Sequence, residues 1–201
     1  MAALLLNRSD PVAVAVESYG RVETYRVTLD SRSEAGGEKI RYYFKKPGFV
    51  RMEFMEPHNG AVLVYDPFNK EVRLRPFGFL KSLVMRLSPQ DRLVKSSGGH
   101  TVDESDLGAL FKRVVALQKG GKTAVLDAEE VGGRMTTVVS VEGADNTEVD
   151  GFHRYLLWLD IKNYLPLKVI SYDSSGRELE EVTMTDLEVD VMFPEGFFSL
   201  E

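Results

Sequence analysis

The most constraining feature of this sequence is the alternation of apolar and polar side chains over residues 41–76, RYYFKKPGFVRMEFMEPHNGAVLVYDPFNKEVRLRP. Short turn sequences containing Pro, Gly and Asn divide the run at 46–48, 56–60 and 66–69. Alternation between such turns is typical of consecutive antiparallel strands with one buried face. The segment predicts strands at about 38–46, 49–55, 61–66 and 70–76, and an inner face formed by Phe49 or Val50, Met52, Phe54, Val62, Val64, Val72 and Leu74.

Helices and further strands are predicted on both sides of this meander. Asp10 followed by Pro11 is typical of a helix start and Gly20 of a helix end, so a helix is expected at about 11–19. Apolar spacing predicts two more helices at 77–87 and 106–119, separated by a mobile polar loop at 88–104. Because the helices interrupt a meander instead of alternating with strands, a parallel sheet is not expected. The remaining strands are predicted at about 21–30, 122–130, 134–142, 152–160, 166–173 and 177–189.

Length and charge exclude several classes of protein. The 201 residues fit one domain, 1–201, large enough to be stable without metals or disulfides. A net charge of -6 argues against a nucleic-acid partner, because phosphate contacts need a basic surface. The chain has no cysteine, which excludes thiol catalysis, thiolate metal sites and a lipidated cysteine.

The first residues leave the compartment open. The apolar start, 1–6, is too short for a signal peptide and lacks a basic region before it. Either the protein is cytoplasmic, or a signal peptide has been removed from the sequence.

Catalytic chemistry has little support in the sequence. His58, His100 and His153 are isolated, without metal-ligand spacing, and are expected to have surface or structural roles. No nucleotide-binding or nucleophile motif is present. The pairs Glu53/Glu56 and Glu129/Glu130 are more typical of exposed strand edges than of acid–base catalysis. The sequence therefore predicts neither an enzyme nor a cofactor or metal site.

The predicted helix at 77–87 has two interpretations. It is apolar on more than half of its circumference, which fits a core helix packed on the sheet. It also fits a lid that exposes Phe77, Phe79, Leu83 and Met85 to a ligand, because the Gly-rich loop after it permits movement. Methionines at 52, 55, 85 and 135 would suit ligands of variable shape.

Two ordered blocks of sequence resemble the lipoprotein-localisation carriers and receptors of the LolA/LolB-like superfamily. The first is 43–54, with a basic residue before Pro47, followed by Pro57 and the apolar strand 61–66 that ends in Asp66. The second is the hairpin 157–169, with Asp160 and Pro166, followed by a closing strand and the C-terminal residues Pro194, Phe197 and Phe198. In element order the resemblance covers nearly the whole chain.

This resemblance implies an α+β fold, an unclosed and strongly curved antiparallel half-barrel of about 10–11 strands with helices covering its concave face. It also implies a cavity for acyl chains of lipoproteins or lipids in the bacterial periplasm, the signal peptide having been removed. A basic residue before the strand proline often ties the sheet to the lid in the carriers. Here that residue is Lys46, which cannot form the forked hydrogen bonds of arginine.

The predicted function is a periplasmic carrier that delivers an acylated lipoprotein or lipid toward the outer membrane, with an inner-membrane transporter and an outer-membrane acceptor as partners. A sensing or interaction module whose sheet is filled by its own side chains is the alternative, and a hydrolase with a cavity is a third possibility. The side chains predicted to line the cavity and lid are Phe44, Met52, Phe54, Val62, Val64, Leu74, Phe79, Leu83, Leu157 and Leu159. Their inward orientation is an expectation, because a slip of one residue inverts a strand.

Overall fold

The structure is a computed structural model and describes residues 10–79, 82–95 and 100–200. Two helices lie in these ranges, α1 (Pro11–Gly20) and α2 (Leu107–Gln118). Each has an aspartate cap, because Asp10 accepts from the Val12 amide at 3.0 Å and Asp106 from the Ala109 amide at 2.7 Å. Neither helix is long and apolar enough to cross a bilayer.

The described residues contain eleven strands: β1 (Thr24–Ser33), β2 (Gly36–Lys45), β3 (Phe49–Glu56), β4 (Val62–Asp66), β5 (Glu71–Arg75), β6 (Met85–Leu87), β7 (Lys122–Val131), β8 (Arg134–Glu142), β9 (Arg154–Asp160), β10 (Pro166–Tyr172) and β11 (Glu178–Val189). They form one antiparallel sheet. Their spatial order is β6-β5-β4-β3-β2-β1-β11-β10-β9-β8-β7, so the pairing of β1 with β11 joins the first half of the chain to the second. The edge strands β6 and β7 do not pair with each other in the described residues, which leaves the sheet unclosed. The predicted α+β class and curved half-barrel are confirmed.

The two faces of the sheet carry separate clusters of apolar side chains. The concave face, covered by α1 and α2, holds the main core, which includes Phe44, Val72 and Leu157. The convex face carries two small clusters. One joins Val62 and Val64 to Leu200, and the other consists of Val138, Trp158 and Ile170.

The predicted helix at 77–87 is wrong in the described residues of that segment. Met85–Leu87 instead forms β6 and pairs with Val72–Leu74 of β5. Pro76 and Gly78 lower the helix propensity of a segment that would form at most three turns, and pairing with a sheet edge supplies hydrogen bonds that such a helix would barely hold. Leu80 and Lys81, predicted to belong to this helix, lie outside the described residues.

The described residues of the predicted loop at 88–104 contain two single 3-10 turns, Arg92–Val94 and Val102–Glu104. Val94 and Val102 are buried and belong to the main core, so this connection is packed on the sheet at both turns. Residues 96–99 of the predicted loop are outside the described ranges.

Candidate ligand-binding site

The concave face is divided into a filled part and an open part. In the filled part, Phe44 stacks on Tyr25 with ring centroids 5.0 Å apart and lies 6.4 Å from Tyr19 of α1. Leu157 and Leu159 of β9 are fully buried there. Side chains from α2 complete this part of the core: Leu107, Phe111, Val114 and Leu117.

The open part is a cavity of about 900 Å³ between the sheet and the connection from β6 to α2. Alternate residues of the central strands form its floor, since every second side chain of a strand points to the same face. The connection supplies the opposite wall, including Leu93, Val94 and Val102. Most of the floor is apolar: Tyr25, Val27, Leu29, Ile40, Tyr42, Met52, Phe54, Leu74, Val169, Val182 and Met184.

Exposed apolar residues surround the mouth of the cavity. Phe77, Leu83 and Leu93 line it and are 47%, 42% and 65% exposed. Residues 35–37, at the tip of the β1–β2 hairpin, are also exposed and line the same end. The cavity therefore opens between this hairpin and the connection that covers the sheet.

Polar groups are concentrated on the wall beside α2. Arg113 is buried and contacts Asp150 at 3.1 Å from Nε to Oδ2. His100 stacks on Phe152 with ring centroids 5.3 Å apart, and its Nε2 lies 3.4 Å from Glu180 Oε2. The contact between His100 and Glu180 joins the covering connection to β11, in the middle of the sheet.

The buried tyrosines of the cavity wall are neutral. Burial raises the pKa of Tyr25 and of Tyr42 well above the ordinary tyrosine value. Tyr25 Oη accepts from the Leu107 amide at 3.2 Å, and Tyr42 Oη shares a hydrogen bond with Ser105 Oγ at 3.0 Å. These hydroxyls are used to hold the start of α2, so the rings present apolar faces to the cavity.

Of the ten residues that the sequence predicts to line the cavity or lid, the structure places four on its wall: Met52, Phe54, Leu74 and Leu83. Phe44, Leu157 and Leu159 point to the same face but are covered by the helices. Phe79 is 82% exposed and reaches the mouth through its ring, which stacks on Phe77 at 5.5 Å. A ligand-binding role for these residues stays a prediction.

The predicted inward orientation of Val62 and Val64 is wrong. Both are buried on the convex face with Leu200, while Leu63 and Tyr65 belong to the concave core. All four side chains are apolar, so the pattern of β4 carries no signal for which face is inside.

Lys46 joins the end of β2 to the end of a covering helix. Its Nζ donates to the Gly20 carbonyl at 2.7 Å and lies 3.2 Å from Glu23 Oε1. The carbonyl at the C-terminus of a helix attracts a cation. The contact involves α1, and its predicted role in lid closure stays a prediction.

Sequence reasoning misses the contributions of β1, β10 and β11 to the cavity floor. Tyr25, Val27 and Leu29 alternate with polar residues in β1, and this alternation is visible in the sequence. The alternation in β1 does not by itself indicate a cavity, because the sequence around β1 does not show which strand pairs with it. The pairing of β1 with β11, from the far end of the chain, brings Val182 and Met184 beside it.

The histidines and the paired carboxylates are dispersed. His58 lies near the Phe54 ring, and His153 is buried, with Nδ1 2.8 Å from the Thr147 carbonyl oxygen. Glu53 accepts hydrogen bonds from Arg51 and Tyr43 on the convex face, and Glu129 accepts one from the Trp158 indole. The described residues hold no cluster of acidic and histidine side chains that could bind a metal.

The fold matches the LolA-like half-barrel that the sequence resemblance predicted. Residues 23–200 match the model of DUF1571, a protein family of unknown function, and the chain belongs to this family. A comparison with curated proteins found no match.

Solved structures share the fold at low sequence identity. LprF from Mycobacterium bovis is 12% identical with a TM-score of 0.57, over 92% of this chain and 94% of that one. An uncharacterized conserved protein from Thermus thermophilus is 14% identical with a TM-score of 0.54, over 92% and 88%. The MucA/MucB complex of Pseudomonas aeruginosa matches with 17% identity and a TM-score of 0.52, over 95% of this chain and 60% of that one. These likenesses concern the fold.

Proposed function

We propose that this protein binds the acyl chain of a lipid or of an acylated lipoprotein in its cavity and carries it through the bacterial periplasm toward the outer membrane. The cavity of about 900 Å³ with its apolar floor is the observation that supports this role. Its volume lies within the range of about 300–1,000 Å³ typical of ligand pockets. Each methylene buried there would contribute about 0.8 kcal/mol, so an acyl chain is held without covalent chemistry.

An apolar cavity of this size lowers the stability of the protein compared with a filled core. Protein interiors are packed about as densely as organic crystals, and an unfilled cavity lowers stability in proportion to its volume. The same sheet is packed solidly under α1 and α2, so this chain is able to fill a concave face with its own side chains. Binding of an acyl chain would explain why the protein does not fill the open part of the concave face.

The lining suits a chain of variable shape. Met52, Met85 and Met184 come from three different strands and all reach the cavity. Their unbranched thioether side chains adapt to different ligands more easily than branched residues do. The cavity is therefore expected to accept acyl chains of more than one length.

Transport also requires release. In its described residues, the connection opposite the sheet has two single 3-10 turns, and the side-chain contact of His100 with Glu180 helps to hold it on the sheet. Such a segment opens at lower cost than a helix or strand. Under this proposal it acts as the lid, and the partners are an inner-membrane transporter that loads the carrier and an outer-membrane acceptor that unloads it.

Displacement of a fluorescent fatty acid from the delipidated protein tests the proposal. We expect saturable probe binding and a loss of about tenfold or more in affinity for Met52→Trp and Leu74→Trp, because the larger side chains occupy the cavity. Met192→Trp is the matched control, since Met192 is exposed and is not part of the cavity wall. Circular dichroism establishes that each variant is folded.

The rival function is an interaction module that binds a protein partner and no lipid. The match to the MucA/MucB complex supports this alternative, because MucB forms a complex with a protein partner and shares the fold. A delipidated protein that binds no probe, and from which native mass spectrometry detects no co-purified lipid, would contradict the carrier and favour the module.

A further inference from the structure

The mouth of the cavity carries four large apolar side chains that face solvent: Phe77, Phe79, Leu83 and Leu93. Phe77 and Phe79 stack on each other, and all members of this mouth cluster except Phe79 line the cavity. Single exposed apolar residues are common on proteins, but a cluster around an opening marks an interaction surface.

The segment that supplies the cluster is basic, although the whole chain has a net charge of -6. Residues 75–95 contain five arginines or lysines and one acidic residue, Asp91. Arg92 and Lys95 are exposed, one in the 3-10 turn that carries Leu93 and the other directly after it. Two exposed cations therefore lie beside Leu93 of the mouth cluster.

The cluster also has a defined position on the fold. Gly78, between the two phenylalanines, packs directly on the backbone of Gly60 in the turn between β3 and β4. Leu93 is flanked by Val94, which is buried in the main core. Both parts of the cluster are thus attached to the sheet through a neighbouring residue in the chain.

We propose that this mouth cluster docks the protein on the surface of an anionic lipid bilayer, with the opening of the cavity toward the membrane. Aromatic and leucine side chains insert at the boundary between headgroups and acyl chains, and flanking basic residues are attracted to anionic headgroups. In this orientation an acyl chain passes between bilayer and cavity without crossing water. The inference goes beyond ligand binding, because a lipid-binding cavity does not by itself require a membrane-docking surface.

Vesicle cosedimentation tests the docking surface. We expect the protein to sediment with vesicles of phosphatidylglycerol and phosphatidylcholine at low salt. It should lose most of this binding on pure phosphatidylcholine, or at about 0.5 M salt, where charges are strongly screened. Phe79→Ser and Arg92→Glu should each weaken binding about fivefold or more, since each changes the mouth without lining the cavity.

Two matched variants control for general effects. Phe68→Ser removes a phenylalanine that is 73% exposed in the turn between β4 and β5, at the opposite end of β5 from Phe77. Arg21→Glu reverses an exposed charge just after α1. Both should bind vesicles as the unchanged protein does.

Several results would overturn the inference: no sedimentation with anionic vesicles, equal binding to neutral vesicles, or equal losses in the mouth and control variants. Any of these results would indicate that the mouth cluster binds a protein partner instead of a bilayer. Fatty-acid displacement, measured on the unchanged protein and on Phe79→Ser, keeps the two proposals separate. If the unchanged protein binds the probe but not vesicles, it is a lipid binder without this docking surface. If it binds vesicles but not the probe, only the carrier proposal is contradicted.

Discussion

Gly60 and Gly78 lie in direct backbone contact. A Cβ atom built on Gly60 would lie 3.2 Å from the Gly78 Cα and 3.3 Å from its nitrogen. Gly60 also has a φ of +83°, a conformation that side-chain-bearing residues rarely adopt. The contact joins the turn after β3 to the segment after β5 and thereby positions the phenylalanines at the cavity mouth.

Gly60→Ala is expected to destabilise the protein by about 1–3 kcal/mol, since it adds both backbone strain and a steric contact with Gly78. Gly20→Ala is the matched control, because a Cβ there meets nothing within 4 Å and Gly20 lies in α1. It should leave stability unchanged or raise it slightly. Urea unfolding measures both, and equal midpoints for the two variants would show that the glycine contact is unimportant.

Lys46→Met is expected to destabilise the protein by about 1 kcal/mol. The variant keeps the apolar stem of the side chain but loses the hydrogen bond to the Gly20 carbonyl and the ion pair with Glu23. Hydrogen exchange should show faster opening of the last turn of α1. Lys45→Met, at the neighbouring exposed position, provides the comparison. Identical exchange in the two variants would mean that Lys46 does not fasten α1 to the sheet.

The sequence predicts much of this fold because its signals are local. Asp10-Pro11 and Gly20 delimit α1 in the structure as in the sequence, and turn residues separate strands close to their predicted ends. These features depend on capping, turn conformation and the alternation of side chains, which act within a few residues. They therefore remain valid whatever the rest of the chain does.

The errors arise where distant residues decide the outcome. Met85–Leu87 follows a helical pattern in sequence but pairs with β5 in the structure. Val62 and Val64 face the convex side because Leu200, far along the chain, covers them there. Part of the cavity floor is missed for the same reason, since it requires knowing that β1 lies beside β11.

Asp106 provides a test of buried charge at the cavity wall. It caps α2, yet burial raises the pKa of its carboxyl group above the ordinary value of 3.8. The folded state therefore disfavours the charged form, and this cost is fully present at neutral pH. Asp106→Asn keeps an acceptor for the helix amides and should be at least as stable as the unchanged protein at pH 7, whereas Asp106→Ala should lose about 1 kcal/mol with the cap.

The sign of the pH dependence follows from the same shift. A carboxyl group whose pKa is raised by folding binds protons as the protein folds, so its penalty is relieved as the pH falls through the folded value. The difference between Asp106→Asn and the unchanged protein should shrink on acidification toward pH 4. Urea midpoints at pH 7 and pH 4 measure it. An Asn variant that is less stable at pH 7, with a gap that narrows in acid, would mean that the charged cap outweighs the cost of burial.

The division of the concave face into filled and open parts predicts two different results for the same substitution. Leu157→Ala should cost about 2–5 kcal/mol, because Leu157 is fully buried beneath the helices and its loss creates a new cavity. Leu74→Ala should cost less than about 2 kcal/mol, since Leu74 borders space that is already open. Thermal and urea unfolding give the stabilities.

Ligand binding should show the reverse order. Leu74→Ala removes atoms that would contact an acyl chain and is expected to weaken fatty-acid probe binding severalfold. Leu157→Ala, measured well below its unfolding transition, should bind the probe as the unchanged protein does, because Leu157 does not line the cavity. If Leu157→Ala loses probe affinity while Leu74→Ala retains it, the acyl chain binds under the helices, and the open part of the sheet is not the site of the ligand.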